Sequence, residues 1–238
     1  MEGAQAVREA LRFGPVHELF ATADAHARHP ELVEAARARG VRISPVTDQA
    51  AAGLSDTVTP QGLVAVCDLV DVPLDAALAT SPRLVAVLVG VADPGNAGTV
   101  IRVADAAGAG AVLLTGDTVD PHNGKAVRAS TGSVFHLPLA RERDPAAVLA
   151  ACRAAGLTLI AADARGELDL HDPRAVDVLT GPTAWVFGGE AHGLPAEVAA
   201  AADHRVRIPI HGRAESLNLP TAAAVCLYAS AAAARGGR

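Results

Sequence analysis

The stretch LVAVLVGVADPGNAGTVIRVADAAGAGAVLLT, residues 84–115, decides the fold class. Its first six residues, Leu84–Val89, are all apolar and Val-rich, the pattern of a strand buried on both faces of a parallel sheet. A helix from about Gly98 to Ala107, closed by Gly108 and Gly110, leads into a second apolar strand, Ala111–Leu114. Strand, helix, strand with no hairpin signal predicts an α/β domain built on a parallel sheet, whose ligands lie at the carboxyl ends of the strands.

The alternation continues downstream. Strands are predicted at 134–137, 157–161, 184–187 and 205–208, with helices at 125–129, 145–155, near Ala196, and from Asn218 to about Ala234. Upstream, residues 1–70 read as a smaller α/β unit with helices at 4–12 and 31–39 and strands at 16–21, 41–46 and 62–68. Residues 71–82, with Pro73 and Pro82, read as a linker carrying at most a short helix, and 83–238 as the second domain.

Composition narrows the function classes. With 50% hydrophobic and 19% charged residues, the 238-residue chain is globular rather than disordered. The apolar run Ala222–Ala234 is shorter than the roughly 18 residues that span a bilayer, and no charged leader precedes an apolar segment at Met1. Cys67, Cys152 and Cys226 are odd in number and form no C-x-x-C pair, so no disulfide framework or cysteine metal site is expected, and a reducing cytoplasm fits. The net charge of −6 disfavours non-specific attraction to nucleic acid, so any such binding must rely on a local cluster.

Three loops could carry chemistry. In the first, Gly90 and Gly95 have the spacing of a phosphate loop, but Asn96 and Ala97 stand where Lys and Ser/Thr are required. What remains is a turn delivering Asn96 and, one turn inside the predicted helix, Arg102; a capping loop with a surface arginine is the alternative. The second, VFGGEAHGLP (186–195), places Glu190 among Gly188, Gly189 and Gly193, where a ligand could approach the backbone. Glu190 reads either as a site carboxylate or as a solvated turn residue, and His192 as a loop histidine. The third, from Ile208 to Tyr228, breaks at Pro209 and places Ser216 and Asn218 before an uncharged helix, where either could serve as the N-cap.

The set N-x-G-x-x-x-R (Asn96, Gly98, Arg102), STGS-x-F-H-x-P (Ser130–Pro138), GGE-x-x-G-L (Gly188–Leu194) and the IP…SLN segment (Ile208–Asn218) resembles the SpoU, or TrmH-type, RNA 2′-O-ribose methyltransferases of the SPOUT class. The match runs in order over roughly residues 84–235, and the N-terminal unit resembles the substrate-binding domain of ribosomal RNA members. The resemblance implies S-adenosylmethionine as cofactor, a homodimer, and a deep trefoil knot in the second domain. It implies cofactor contacts at Gly188, Gly189, Gly193, Ile208 and Leu217, and active-site positions at Asn96, Arg102, Glu190, Ser216 and Asn218. Ile210 and Pro220 depart from the family pattern, in which Met and Ser are frequent there. Met1–Gly3 corresponds to the middle of that pattern, so the small domain is expected to be short by one strand.

The implied reaction needs the ribose hydroxyl aligned and its developing charge stabilised. Arg102, a permanent cation, is read as that stabiliser, with Glu190, water or a substrate phosphate as the proton acceptor. Residues 1–70, with Arg128 and Arg213, are expected to select the RNA, ribosomal rather than transfer RNA. A dimer on the last helix is expected to be weakened by Leu227→Glu. The rival readings are a transfer RNA methyltransferase and a non-catalytic RNA-binding assembly factor on the same scaffold.

Overall fold

The structure, a computed structural model, describes residues 1–236. The chain runs α1 (Ala4–Phe13), β1 (Val16–Ala21), α2 (Ala23–Arg28), α3 (Pro30–Ala38), β2 (Arg42–Pro45), α4 (Asp48–Gly53) and β3 (Leu63–Cys67). These elements form a three-stranded sheet, β2-β1-β3, with β2 parallel and β3 antiparallel to β1. Leu19 and Ala21 point into a core closed by Val7 and Leu11 of α1 and Leu32 of α3. Glu2 bridges Val64 on the other side of β3, so the first residues extend this sheet rather than hang free.

After α5 (Leu74–Leu78) come β4 (Leu84–Val89), α6 (Pro94–Ala107), β5 (Ala111–Thr115), α7 (Gly124–Ser130), β6 (Leu139–Glu142), α8 (Pro145–Ala154) and β7 (Thr158–Ala162). The chain ends with β8 (Leu168–Asp169), α9 (Pro173–Leu179), β9 (Thr183–Gly188), α10 (Ala196–Ala201), β10 (His204–Arg207) and α11 (Leu219–Gly236). The second sheet has seven strands in the order β6-β5-β4-β9-β7-β10-β8, all parallel.

Every residue of β4 is buried, as its unbroken apolar run requires. Alternate residues serve opposite faces: Ala86 and Leu88 join Trp185 and Phe187 under α6 and α11, while Val85 and Val87 join Ala184 and Val186 under α8. Trp185 donates from Nε1 to Ser230 Oγ at 2.8 Å, which satisfies the one polar group of a fully buried ring and fixes α11 on the sheet. The segment before β4 is part of this core: Val72 N–H donates to Leu139 O at 2.8 Å, and Ala77 and Leu78 of α5 are buried.

Several expectations change. Helix α6 begins at Pro94, one turn earlier than predicted, because the Asp93 side chain caps it by accepting from Asn96 N–H at 2.8 Å. Arg102 therefore sits two turns inside the helix, not one. No strand forms at 134–137; a 3₁₀ turn, Ser133–Phe135, occupies it, and the strand follows Pro138 at Leu139. The short elements α2, α4, β8 and α9 are additional to those predicted from the sequence.

Leu227 is fully buried between α11 and the sheet, so Leu227→Glu would put a charge into the chain's own core. Arg128, expected to contact RNA, pairs through its guanidinium with Glu2. The three cysteines are free thiols; burial pushes Cys152 up to about 12 and raises Cys226 and Cys67 as well. Among the described residues no helix is long and apolar enough to cross a membrane.

Candidate active site

The chain winds outward from β4 through β5 to β6, then crosses to β7 on the far side of β9. The carboxyl ends of β4 and β9 thus flank the point where the winding direction reverses, the usual ligand position in an open parallel sheet. All three candidate loops leave this edge.

In the first loop Lys125 Nζ donates to Asp93 Oδ2 at 2.6 Å. That bond, followed by the Asn96 N–H, holds the Asp93 carboxyl below the usual carboxylate range. The capped first turn turns the Asn96 side chain outward, where its Nδ2 donates to Glu190 Oε1 at 2.5 Å. Gly98 has a separate role: a Cβ there would lie 2.1 Å from Ala126 O, so this glycine lets α6 and α7 cross in backbone contact.

The glycines of the second loop do more than admit a ligand. A Cβ on Gly188 would meet the Gly193 carbonyl carbon at 2.2 Å, and one on Gly189 would meet Gly90 O at 2.3 Å. The second loop closes on itself: Gly193 N–H donates to Gly189 O at 3.0 Å, and Gly193 takes a φ of +66°. Glu190 is thereby held at the mouth of the site, while His192 is exposed.

Gly188, Gly189, Glu190, Gly193, Ile208, Ser216 and Leu217 line one cavity of about 560 Å³. Asn96 adjoins it through Glu190. Asn218 does not line it; its Oδ1 accepts from Thr221 N–H at 3.0 Å, the helix-capping role that its position suggested. Arg102 is exposed on α6, with no hydrogen bond or ion pair among the described residues. Arg213, the other arginine assigned to RNA, is exposed in the third loop.

Sequence reasoning missed Asp163 and Asp169, which line the same cavity from the loop after β7 and from β8. Asp169 Oδ2 lies 3.5 Å from Arg207 Nη2. A two-residue strand carries no periodicity, so nothing local signalled them. From 208 to 217 no backbone group hydrogen-bonds to protein among the described residues, so the backbone groups of 208–210 and 215–217, which line the cavity, are unpaired.

Comparison with known proteins identifies the family and the fold. The chain is 33% identical over 230 residues to the 23S rRNA (guanosine(2553)-2′-O)-methyltransferase RlmP of Bacillus subtilis, covering 96% of this chain and 86% of that protein. It is 31% identical over 237 residues to the 23S rRNA (guanosine-2′-O-)-methyltransferase RlmB of Bordetella pertussis, covering 97% and 95%. The fold superposes on the AdoMet-bound rRNA methyltransferase of Sinorhizobium meliloti with a TM-score of 0.80 at 32% identity, covering 97% of this chain and 85% of that one. On the SpoU methyltransferase AviRb of Streptomyces viridochromogenes the TM-score is 0.85 at 28% identity, covering 100% and 90%. Residues 1–73 match the family described as RNA 2′-O ribose methyltransferase substrate binding. With residues 83–228 matching its catalytic-domain description, the chain belongs to the SpoU rRNA Methylase family.

Proposed function

We propose that this protein transfers a methyl group from S-adenosylmethionine to a ribose 2′-hydroxyl in RNA, with ribosomal RNA as the substrate class. The observation that carries the reading is the cavity at the carboxyl ends of β9 and β10, lined by unpaired backbone groups and by the carboxylates of Asp163, Asp169, Glu190 and Glu215.

Those residues suit the cofactor. The free N–H and C=O groups between Ile208 and Leu217 can read an adenine edge, and the apolar side chains of Ile208, Leu217 and Leu219 can pack against its faces. Glu190, Asp163 and Asp169 give the cavity negative charge that suits a cationic ligand. When bound, the cofactor supplies an electrophilic methyl group on a sulfonium.

The chain's own residues then orient and stabilise. Asn96 holds Glu190 at the mouth of the cavity. Arg102, on the same helix and free of any partner among the described residues, presents a planar cation to the ribose oxygen as charge develops and to a neighbouring phosphate. Glu190 has a second oxygen that makes no hydrogen bond among the described residues, so it is available to accept the hydroxyl proton.

The proposal extends to assembly and substrate choice. Residues 1–70 select the RNA, and two copies pair about the exposed side of α11 around Tyr228, which is 51% exposed. The backbone contact of Gly189 with Gly90 of the first loop and the return of α11 across α6 and β9 support a trefoil knot in the second domain. Mapping 2′-O-methylation in RNA from cells with and without the gene tests the reading. One ribose methyl group lost with the gene is expected; identical maps, with no cofactor binding by isothermal titration, overturn it.

A further inference from the structure

The STGS-x-F-H-x-P segment has no part in the site described above, yet its histidine occupies the junction of the two domains. His136 Nδ1 lies 2.7 Å from Asp105 Oδ2 on α6, and His136 Nε2 lies 3.4 Å from Glu9 Oε2 on α1 of the small domain. Ser133 Oγ also donates to Asp105 Oδ2 at 2.7 Å, and Gln5 Nε2 donates to the other oxygen of Glu9, Oε1, at 3.0 Å. Glu9 is only 8% exposed, so its carboxylate depends on these partners.

The surrounding contacts are close. A Cβ on Gly132 would lie 2.3 Å from Glu9 Cγ, and one on Gly14, just after α1, would lie 2.7 Å from Phe135 Cε1. The Phe13 ring meets the imidazole edge-on, with centroids 4.7 Å apart. Further along the same junction Glu2 pairs with Arg128 of α7. The small domain is thus fixed to the second domain at Glu2 and Glu9, both carboxylates of its own. The groups contacting the imidazole are Asp105 from α6, Glu9 and Phe13 from α1, and no other charged side chain is paired with it among the described residues.

Asp105 follows Arg102 by three residues, about one helical turn, so both lie on the same side of α6. We infer that His136 is a positioning residue, a clamp that fixes the small domain in register with the helix carrying Arg102 and that closes fully only when the imidazole is doubly protonated. The inference rests on the proposed RNA methylation. Its physical basis is hydrogen-bond valence: a neutral imidazole has one N–H and can donate to one carboxylate only, whereas the imidazolium donates to both. With the clamp half open, RNA held by the small domain is no longer presented to Arg102 at a fixed distance.

Glu9→Gln separates this idea from a purely structural role. Glutamine keeps Oε1 for Gln5, and its amide can donate to the unprotonated Nε2 of a neutral His136, so the junction no longer needs the second proton. The test uses the whole chain, wild type, Glu9→Gln and His136→Ala, each at about pH 6 and at about pH 8.5. Amide hydrogen exchange across residues 4–13 and 133–136 reads docking. Steady-state methylation of total RNA from cells lacking the gene reads KM and kcat.

At the higher pH the wild type should lose protection at the junction relative to Glu9→Gln. Its KM for RNA should rise about tenfold relative to that variant, the size expected for one charge-assisted hydrogen bond. Affinity for S-adenosylmethionine should not move, and His136→Ala should show the raised KM at both pH values. Wild type and Glu9→Gln tracking each other in exchange and KM would overturn the clamp. Exchange that differs as expected in a protein that methylates no RNA would leave the clamp standing and overturn the reading of function instead.

Discussion

Asn96 Nδ2 donates to Glu190 Oε1 across 2.5 Å, tying the first turn of α6 to the loop after β9, 94 residues further along the chain. The bond uses one carboxylate oxygen and leaves the other without a hydrogen bond among the described residues. It also makes the pair sensitive to charge in a way that neither residue is alone.

Replacing Asn96 by Asp sets two carboxylates against each other at that distance. One of them must then hold a proton or swing away, because like charges so close raise the pKa of the pair. Asn96→Asp is expected to weaken S-adenosylmethionine binding at about pH 7.5 and to recover as pH falls toward about 5, where one carboxyl is protonated. Isothermal titration across that range checks it; a pH-independent defect would show that Asn96 acts on something other than Glu190.

Gly98→Ala sets two effects in opposition. Alanine gains up to about 1 kcal/mol in helix propensity, but its Cβ would sit 2.1 Å from the Ala126 backbone oxygen, and forced overpacking costs about 1–3 kcal/mol. Because the obstacle is backbone and cannot turn aside, the cost should win and stability should fall. Gly53→Ala, with nothing within 4 Å of the added Cβ, should be neutral or stabilising. Urea unfolding of both variants makes the comparison.

Arg102→Lys keeps the positive charge and loses the planar fork that spans alkoxide and phosphate. Turnover should fall by roughly 10²- to 10³-fold, the loss typical of one transition-state donor, with cofactor affinity unchanged. If Arg102 were the base, lysine with its lower intrinsic pKa would recover activity as pH rises toward about 10. Single-turnover rates against pH distinguish the two, and a high-pH rescue would contradict the role assigned here.

The last helix offers two neighbouring positions with different outcomes. Leu227 is fully buried and Tyr228 is 51% exposed. Leu227→Glu should unfold the second domain and so says nothing about assembly, whereas Tyr228→Glu should leave the far-ultraviolet spectrum intact and shift a dimer toward monomer in sedimentation. A wild-type protein that sediments as a stable 24.0 kDa monomer would rule out the dimer itself.

Lys125→Met removes the strongest of the contacts that depress the Asp93 carboxyl. A group whose pKa is lower in the folded state contributes stability above its unfolded value and loses it as pH falls through the folded one. The stability difference between wild type and variant should therefore be present at neutral pH and vanish in acid. Because both side chains are largely exposed it should be small. Thermal unfolding at matched pH values measures it.

The sequence by itself determined the sheet and the position of its loops. The unbroken apolar run of Leu84–Val89, the glycines at strand ends and the apolar faces of the helices are local patterns, and local patterns follow from the periodicity of strand and helix. Even the capping role of Asn218 was readable from its place before α11.

What only the tertiary structure decided is which distant groups meet. Asn96 reaches Glu190 because β4 and β9 are neighbours although four strands separate them in the chain. Arg128, read from sequence as an RNA contact, belongs to Glu2, 126 residues away. Gly98 is required by a carbonyl on α7, and Asp163 and Asp169 enter the cavity from segments too short to show any period. Strand order and helix crossing bring these groups together, and both are set by the packing of the whole core, which no window of sequence contains.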